Sequence, residues 1–152
     1  MLQQIALGSA LIFATAMAHG AATVVAIFVL LRVRRVNRTH TGRGLVVSAL
    51  ILVMAFVSVL DAVLWAYAYM EIGAIPDFES ALYYSMVTFT TLGYGDITLG
   101  PDWRLLGGLE AANGIIMFGW STAIIVAFVQ RIVPQGPAQH LSERRRPSPE
   151  SD

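Results

Sequence analysis

The residues of this chain whose types and spacing could do chemistry are Thr90-Thr91-Leu92-Gly93-Tyr94-Gly95-Asp96. The chemistry they suggest belongs to the backbone. Glycines at 93 and 95 permit backbone angles closed to other residues. Alternation with Leu92 and Tyr94 lets successive carbonyls turn to one side while the two side chains pack outward. The competing reading is a glycine-rich turn between helices. The full length of the motif, and its place between a short helix and a long apolar segment, argue against it.

The elements that hold this stretch are apolar. Of 152 residues, 56% are apolar and 13% charged, against about 25% charged in an ordinary soluble domain. Much of the surface must therefore face lipid. With no cysteine there is neither a disulfide framework nor a thiolate metal site. A helix needs about 20 residues to cross a hydrocarbon core roughly 30 Å thick. Three segments meet that length. The first is an N-terminal helix over residues 1–33. Its Ala16-Met17-Ala18 has the form of a signal-peptide cleavage site, but no basic region precedes it and the apolar run continues well past it. The second is an outer helix over 44–71, with Trp65, Tyr67 and Tyr69 in its last third, residue types that settle at membrane interfaces. The third is an inner helix over 103–133. Between the last two, residues 77–90 form a helix too short to cross, with Asp77 as its cap and Glu79 in its first turn, where the helix dipole favours an acid. The expected fold is thus all-α and membrane-embedded: three spans, with a re-entrant helix and loop. A basic connector over 34–43 and a disordered tail over 134–152 complete the chain, the tail being too polar to bury a core.

Nine of the ten arginines lie in 32–43, at Arg131 or in the tail; only Arg104 lies elsewhere. The excess of positive charge marks the cytoplasmic side. The connector and C-terminus are then cytoplasmic, and the N-terminus and the 71–102 segment are outside, in a plasma (cell inner) membrane. That outer segment carries Glu71, Asp77, Glu79, Asp96 and Asp102, an acidic mouth that concentrates cations.

Thr91-Leu92-Gly93-Tyr94-Gly95-Asp96 resembles the selectivity filter of the potassium channel family, with Leu92 where valine is commoner. Phe78 to Thr90 resembles the family's pore helix, with Tyr83-Tyr84 where many members carry a tryptophan pair. The span containing Asn113-Gly114 and Phe118-Gly119 resembles its inner helix. The likeness covers roughly residues 45–133, and the first span lies outside its two-helix form. The resemblance implies a homotetramer, because rings of carbonyls around a dehydrated potassium ion need four contributions. It implies that the carbonyls of Thr91, Leu92, Gly93 and Tyr94, with the Thr91 hydroxyl, coordinate potassium, that Gly95 completes the filter, and that Asp96 sits at its rim. Tyr94 is expected to bond to an aromatic cuff at Tyr84, and Thr90 ends the pore helix with its negative dipole end toward a central cavity. Val87 stands where some members have a glutamate paired with the rim aspartate, so that pairing is missing here.

Further candidates lie on the third span. Ile115, Phe118, Thr122 and Val126 are spaced to share one helical face, which the resemblance makes the cavity face; the alternative is a packing stripe. Gly114 is a candidate bending point of an inner gate, or a site of close helix packing; Gly119 is a weaker one. Intramembrane ionisable groups are costly and face protein. Glu110, about 10 Å into its span, is expected either behind the filter, in part replacing the missing acid at 87, or in a structural hydrogen bond to Asn113 or a neighbouring hydroxyl. Asp61 and His19 could pair between the first two spans. Arg32, Arg34 and Arg35 cluster at a helix end and do not recur every third residue within a span, so they read as topology anchors for anionic lipid and not as a voltage sensor. No nucleophile–base pair or metal cluster indicates an enzyme, no cofactor beyond the permeant ion is implied, and no nucleic-acid partner is expected. Two other readings are a transporter with filter-like loops, which would need four repeats in one chain, and a non-conducting or regulatory subunit that assembles with another channel.

Overall fold

The computed structural model describes residues 1–32 and 40–132. These form four helices: α1 (Leu2–Arg32), α2 (His40–Glu71), α3 (Phe78–Phe89) and α4 (Arg104–Ile132). No strand occurs among the described residues. Helices α1, α2 and α4 are long and apolar enough to cross a membrane. The 12 residues of α3 extend about 18 Å at 1.5 Å per residue, well short of the roughly 30 Å core. The all-helical architecture with three spans agrees with the sequence. Its limits move slightly, since α2 begins at His40 and takes up the end of the expected connector. Arg34, Arg35 and the 134–152 tail lie outside the described residues, as does the side chain of Arg32.

Polar side chains in the spans fix how the helices lie together. Gln4 Oε1 accepts from the Leu105 amide at 3.1 Å, 101 residues away. Asn113 Nδ2 donates to Thr15 Oγ1 at 2.9 Å, a separation of 98. Trp120 Nε1 donates to Thr23 Oγ1 at 3.1 Å, a separation of 97. Ser121 Oγ lies 3.3 Å from His19 Nε2, a separation of 102. A nearly constant offset means two parallel helices in axial register; antiparallel helices would keep the sum of the residue numbers constant instead. The first helix therefore runs alongside α4 for most of its length, joined to it by hydroxyl, amide and ring groups of the kind that hold helices together in lipid. From α2, Asp61 reaches the same junction, with Oδ2 2.9 Å from His19 Nδ1 and both side chains buried. The pairing across the first two spans is thus present.

The core surrounds α3. Trp65, Ala66 and Tyr69 of α2, Ala81 and Phe89 of α3, Leu106 and Met117 of α4, Leu11 of α1 and the connecting Ile75 and Leu99 form one buried apolar cluster. Helix α2 ends where Gly73, at φ +69°, turns the chain. The amides of Gly73 and Ala74 then return to the carbonyls of Met70 and Tyr69, both at 2.9 Å, a left-handed glycine cap. This turn lets the chain fold back and place α3 between α2 and α4.

Candidate functional site

At the start of α3, Asp77 is extended (φ −127°, ψ 153°) and accepts from the Ser80 amide, at 2.8 Å. Hydrogen bonds from Ser80 hold its carboxyl below the usual carboxylate range. At the other end Thr90 is the cap, its amide bonding back to the Met86 carbonyl at 3.1 Å and its hydroxyl donating to the same carbonyl at 2.7 Å.

The amides that follow also turn back on the helix. Thr91 N donates to the Thr88 carbonyl at 2.9 Å, while Leu92 N and Gly93 N both donate to the Val87 carbonyl, at 2.9 and 3.2 Å. No peptide among the described residues is cis. In a trans peptide the N–H of one residue and the C=O of the residue before it point in opposite directions. With the amides of 91, 92 and 93 aimed at the end of α3, the carbonyls of Thr90, Thr91 and Leu92 must face away from it. That side is open, for residues 90–96 are all exposed. The backbone beyond alternates in hand. Thr91, Gly93 and Gly95 have φ of +61°, +56° and +78°, whereas Leu92 and Tyr94 do not have positive φ. Glycine accepts this freely. Thr91 does not: a β-branched residue with positive φ is a strained position, and such strain gathers at functional sites.

Asp96 is bonded on both oxygens. Tyr83 donates its hydroxyl to Oδ2 at 2.6 Å, and the Ile97 amide donates to Oδ1 at 3.0 Å. The Tyr83 bond, more than any other cause, holds the Asp96 carboxyl below its usual range and raises the Tyr83 phenol above its own. Val87 leaves no acid to share with Asp96, and a phenol four residues earlier on α3 takes that place. Tyr84 turns the other way. Its ring meets Tyr69 edge-on at 5.2 Å, and its hydroxyl lies where a Cβ on Gly107 would be. Within one chain it is not the partner of Tyr94, which stands 67% exposed.

Behind α3 lies Glu110, fully buried. The Tyr69 hydroxyl donates to its Oε2 at 2.7 Å, Ser85 Oγ contacts its Oε1, and Ser85 also contacts the Ala62 carbonyl at 2.7 Å. One carboxyl thus joins α2, α3 and α4. Of the alternatives for Glu110, the neighbouring hydroxyls are its partners; Asn113 is turned to Thr15 instead. Lower down, Gly114 meets the last turn of α3. A Cβ there would fall 1.8 Å from the Phe89 carbonyl oxygen, so the backbones touch and the glycine serves close packing. Phe118 packs edge-on against Phe89 at 5.7 Å. It is exposed along its free side, as are Ile115, Thr122 and Val126, whereas Met117 and Ser121 of the same helix are buried. Ile116 and Trp120, on other faces of α4, are exposed as well, so exposure within one chain does not set the face of the four expected residues apart.

A family model described as an ion channel matches residues 44–131, more than half of the chain. The chain belongs to this ion channel family. Comparison with curated proteins and with solved structures gives no match. The matched part of the channel takes in nearly all of α2 and α4, with α3 and the 91–96 segment between them, and excludes α1. Sequence reasoning about this channel expected a hydroxyl for Glu110 without saying that Tyr69 and Ser85 supply it, and it missed Tyr83 for Asp96 and Thr15 for Asn113. Their signal was available as hydroxyls within otherwise apolar segments, but spacing along one helix does not say which neighbour they meet.

Proposed function

We propose that the channel is potassium-selective, with residues 91–96 as its filter and four copies of the chain around one axis. The observation that carries this reading is the set of three amides turned back onto the end of α3, which aims the carbonyls of Thr90, Thr91 and Leu92 at the open side. The alternation of φ at Thr91, Gly93 and Gly95 is what a chain needs to keep further carbonyls on that side. Carbonyl oxygens are strong dipoles without net charge, and rings of them suit a monovalent cation that must enter dehydrated and leave again. One chain supplies one side of such a ring. The exposed segment and the exposed face of Ile115, Phe118, Thr122 and Val126 are the surfaces that partners and a cavity would use. The outward position of Asp96 and the cytoplasmic position of the arginine-rich segments follow from charge distribution.

The test is flux. Full-length channel in liposomes is expected to pass potassium much faster than sodium, with block by barium, and to run as a tetramer in mild detergent. No potassium flux, or equal sodium flux, would overturn the selectivity.

A further inference from the structure

The buried junction at Glu110 can be read by counting protons. It contains three close contacts between oxygens: Tyr69 to Glu110 Oε2, Ser85 to Glu110 Oε1, and Ser85 to the Ala62 carbonyl. Each contact needs one proton between its two oxygens. Tyr69 and Ser85 carry one each, and the Ala62 carbonyl carries none. If Glu110 were a carboxylate, two protons would serve three contacts. Ser85 would then face a pure acceptor on both sides with a single hydrogen, and one buried pair of oxygens would meet lone pair to lone pair. Such an arrangement is costly where no water can intervene. A third proton on Glu110 Oε1 satisfies every contact in one direction: Glu110 donates to Ser85, Ser85 donates to the Ala62 carbonyl, and Tyr69 donates to Oε2. Among the described residues no ion pair involves Glu110. The ionisable groups packed around the carboxyl are the phenols of Tyr69 from α2 and, against it, Tyr84 from α3.

We propose that Glu110 is a positioning residue held as the neutral carboxylic acid, which donates its proton to Ser85 and so fixes α3 between α2 and α4. Ser85 lies one turn before Phe89, the last residue of α3, and the carbonyl of Val87 in that turn receives the Leu92 and Gly93 amides. Glu110 therefore sets the height and rotation of the helix end from which the carbonyl row hangs. Being neutral, it does so without adding a negative charge beside permeant cations. The effect on ion selection rests on the reading of residues 91–96 as the filter; the protonation does not.

Two arms separate these. Infrared spectra of the full-length channel in lipid, compared with Glu110→Gln, are expected to show one carbonyl stretch of a protonated carboxyl that is missing in the variant. In Ser85→Ala that band is expected to persist and shift, since the acid loses its acceptor. No such band in the difference spectrum, or a band unmoved by Ser85→Ala, overturns the proposal. In liposomes Glu110→Gln, whose amide can donate to Ser85 while its oxygen accepts from Tyr69, is expected to keep the potassium-to-sodium flux ratio. Glu110→Ala, which leaves the Tyr69 hydroxyl without its acceptor and Ser85 without its donor, is expected to lower it about tenfold, the scale of one lost buried hydrogen bond. A Gln variant as impaired as Ala would show that charge matters and overturn the neutral acid. Wild-type channel with the infrared band but no potassium flux would defeat the function proposed above and leave the protonation standing.

Discussion

Asp96 shows how one substitution in a resembling sequence is met by another residue. Its carboxylate accepts from the Tyr83 phenol and the Ile97 amide, so the ionised form is favoured and the carboxyl titrates below its ordinary value. A carboxyl lowered in this way keeps its bonds above the ordinary pKa, about 3.9 for aspartate, and loses them as pH falls through the depressed value. Removing the phenol removes the largest cause. Tyr83→Phe is therefore expected to raise the Asp96 titration back toward the ordinary carboxylate range, followed by carbon NMR of aspartate-labelled channel; an unmoved titration would show that the phenol does not hold the acid. The absence of an acid at Val87 was legible in the sequence, but the choice between Tyr83 and Tyr84 was not. Adjacent residues on a helix point about 100° apart, and only the packing of Tyr84 against Tyr69 and Gly107 decides which one faces the rim. The strained φ of Thr91 was equally invisible, because residue type argues against it and the amides returned to α3 impose it.

Among the elements, α3 is the piece most tightly wedged, and its contact with α4 at Gly114 gives a sharp test. An added methyl there would lie 1.8 Å from the Phe89 carbonyl oxygen, so α3 or α4 has to move. Overpacking of this kind costs about 1–3 kcal/mol. Gly119 has nothing within 4 Å of the same position, and glycine to alanine in an open helix gains up to about 1 kcal/mol of helix propensity. Gly114→Ala is thus expected to lower the thermal stability of the assembled channel and Gly119→Ala to leave it equal or higher, measured by fluorescence-detected melting in detergent. Equal stability of the two variants would mean that α4 does not press on α3 at Gly114. Helix identity, span number and the caps of α3 were all readable from apolar length and from Asp77. The partnership of α1 with α4 was not, because it depends on Gln4, Thr15, His19 and Thr23 meeting residues about a hundred positions away. Apolar length announces that a span exists and is silent about its neighbour.

For the whole molecule, the distribution of exposure is the informative quantity. Trp65, Tyr69, Phe89 and Leu106 are essentially fully buried around α3, while Ile115 is 63% exposed and Val126 47%. Lipid could cover that second set as well as a cavity could, and accessibility to an aqueous reagent tells these surroundings apart. The chain has no cysteine, so single cysteines can be placed without a background. Around a water-filled cavity, cysteines at Ile115, Phe118, Thr122 and Val126 are expected to react with a small cationic thiol reagent added from the cytoplasmic side and to block potassium flux. Cysteines at the buried Met117 and Ser121 are expected to be protected or to react without block. If the negative end of α3 faces the same space, a cationic reagent is expected to react faster than a neutral one of equal size, and added salt to narrow the difference. If the four positions react no faster than Met117 and Ser121, the shared face belongs to lipid or to helix packing, and a conduction path must run elsewhere. Reaction at all four with the cation preference would join the carbonyl row, the end of α3 and the exposed face of α4 along one axis, which a single chain can only outline.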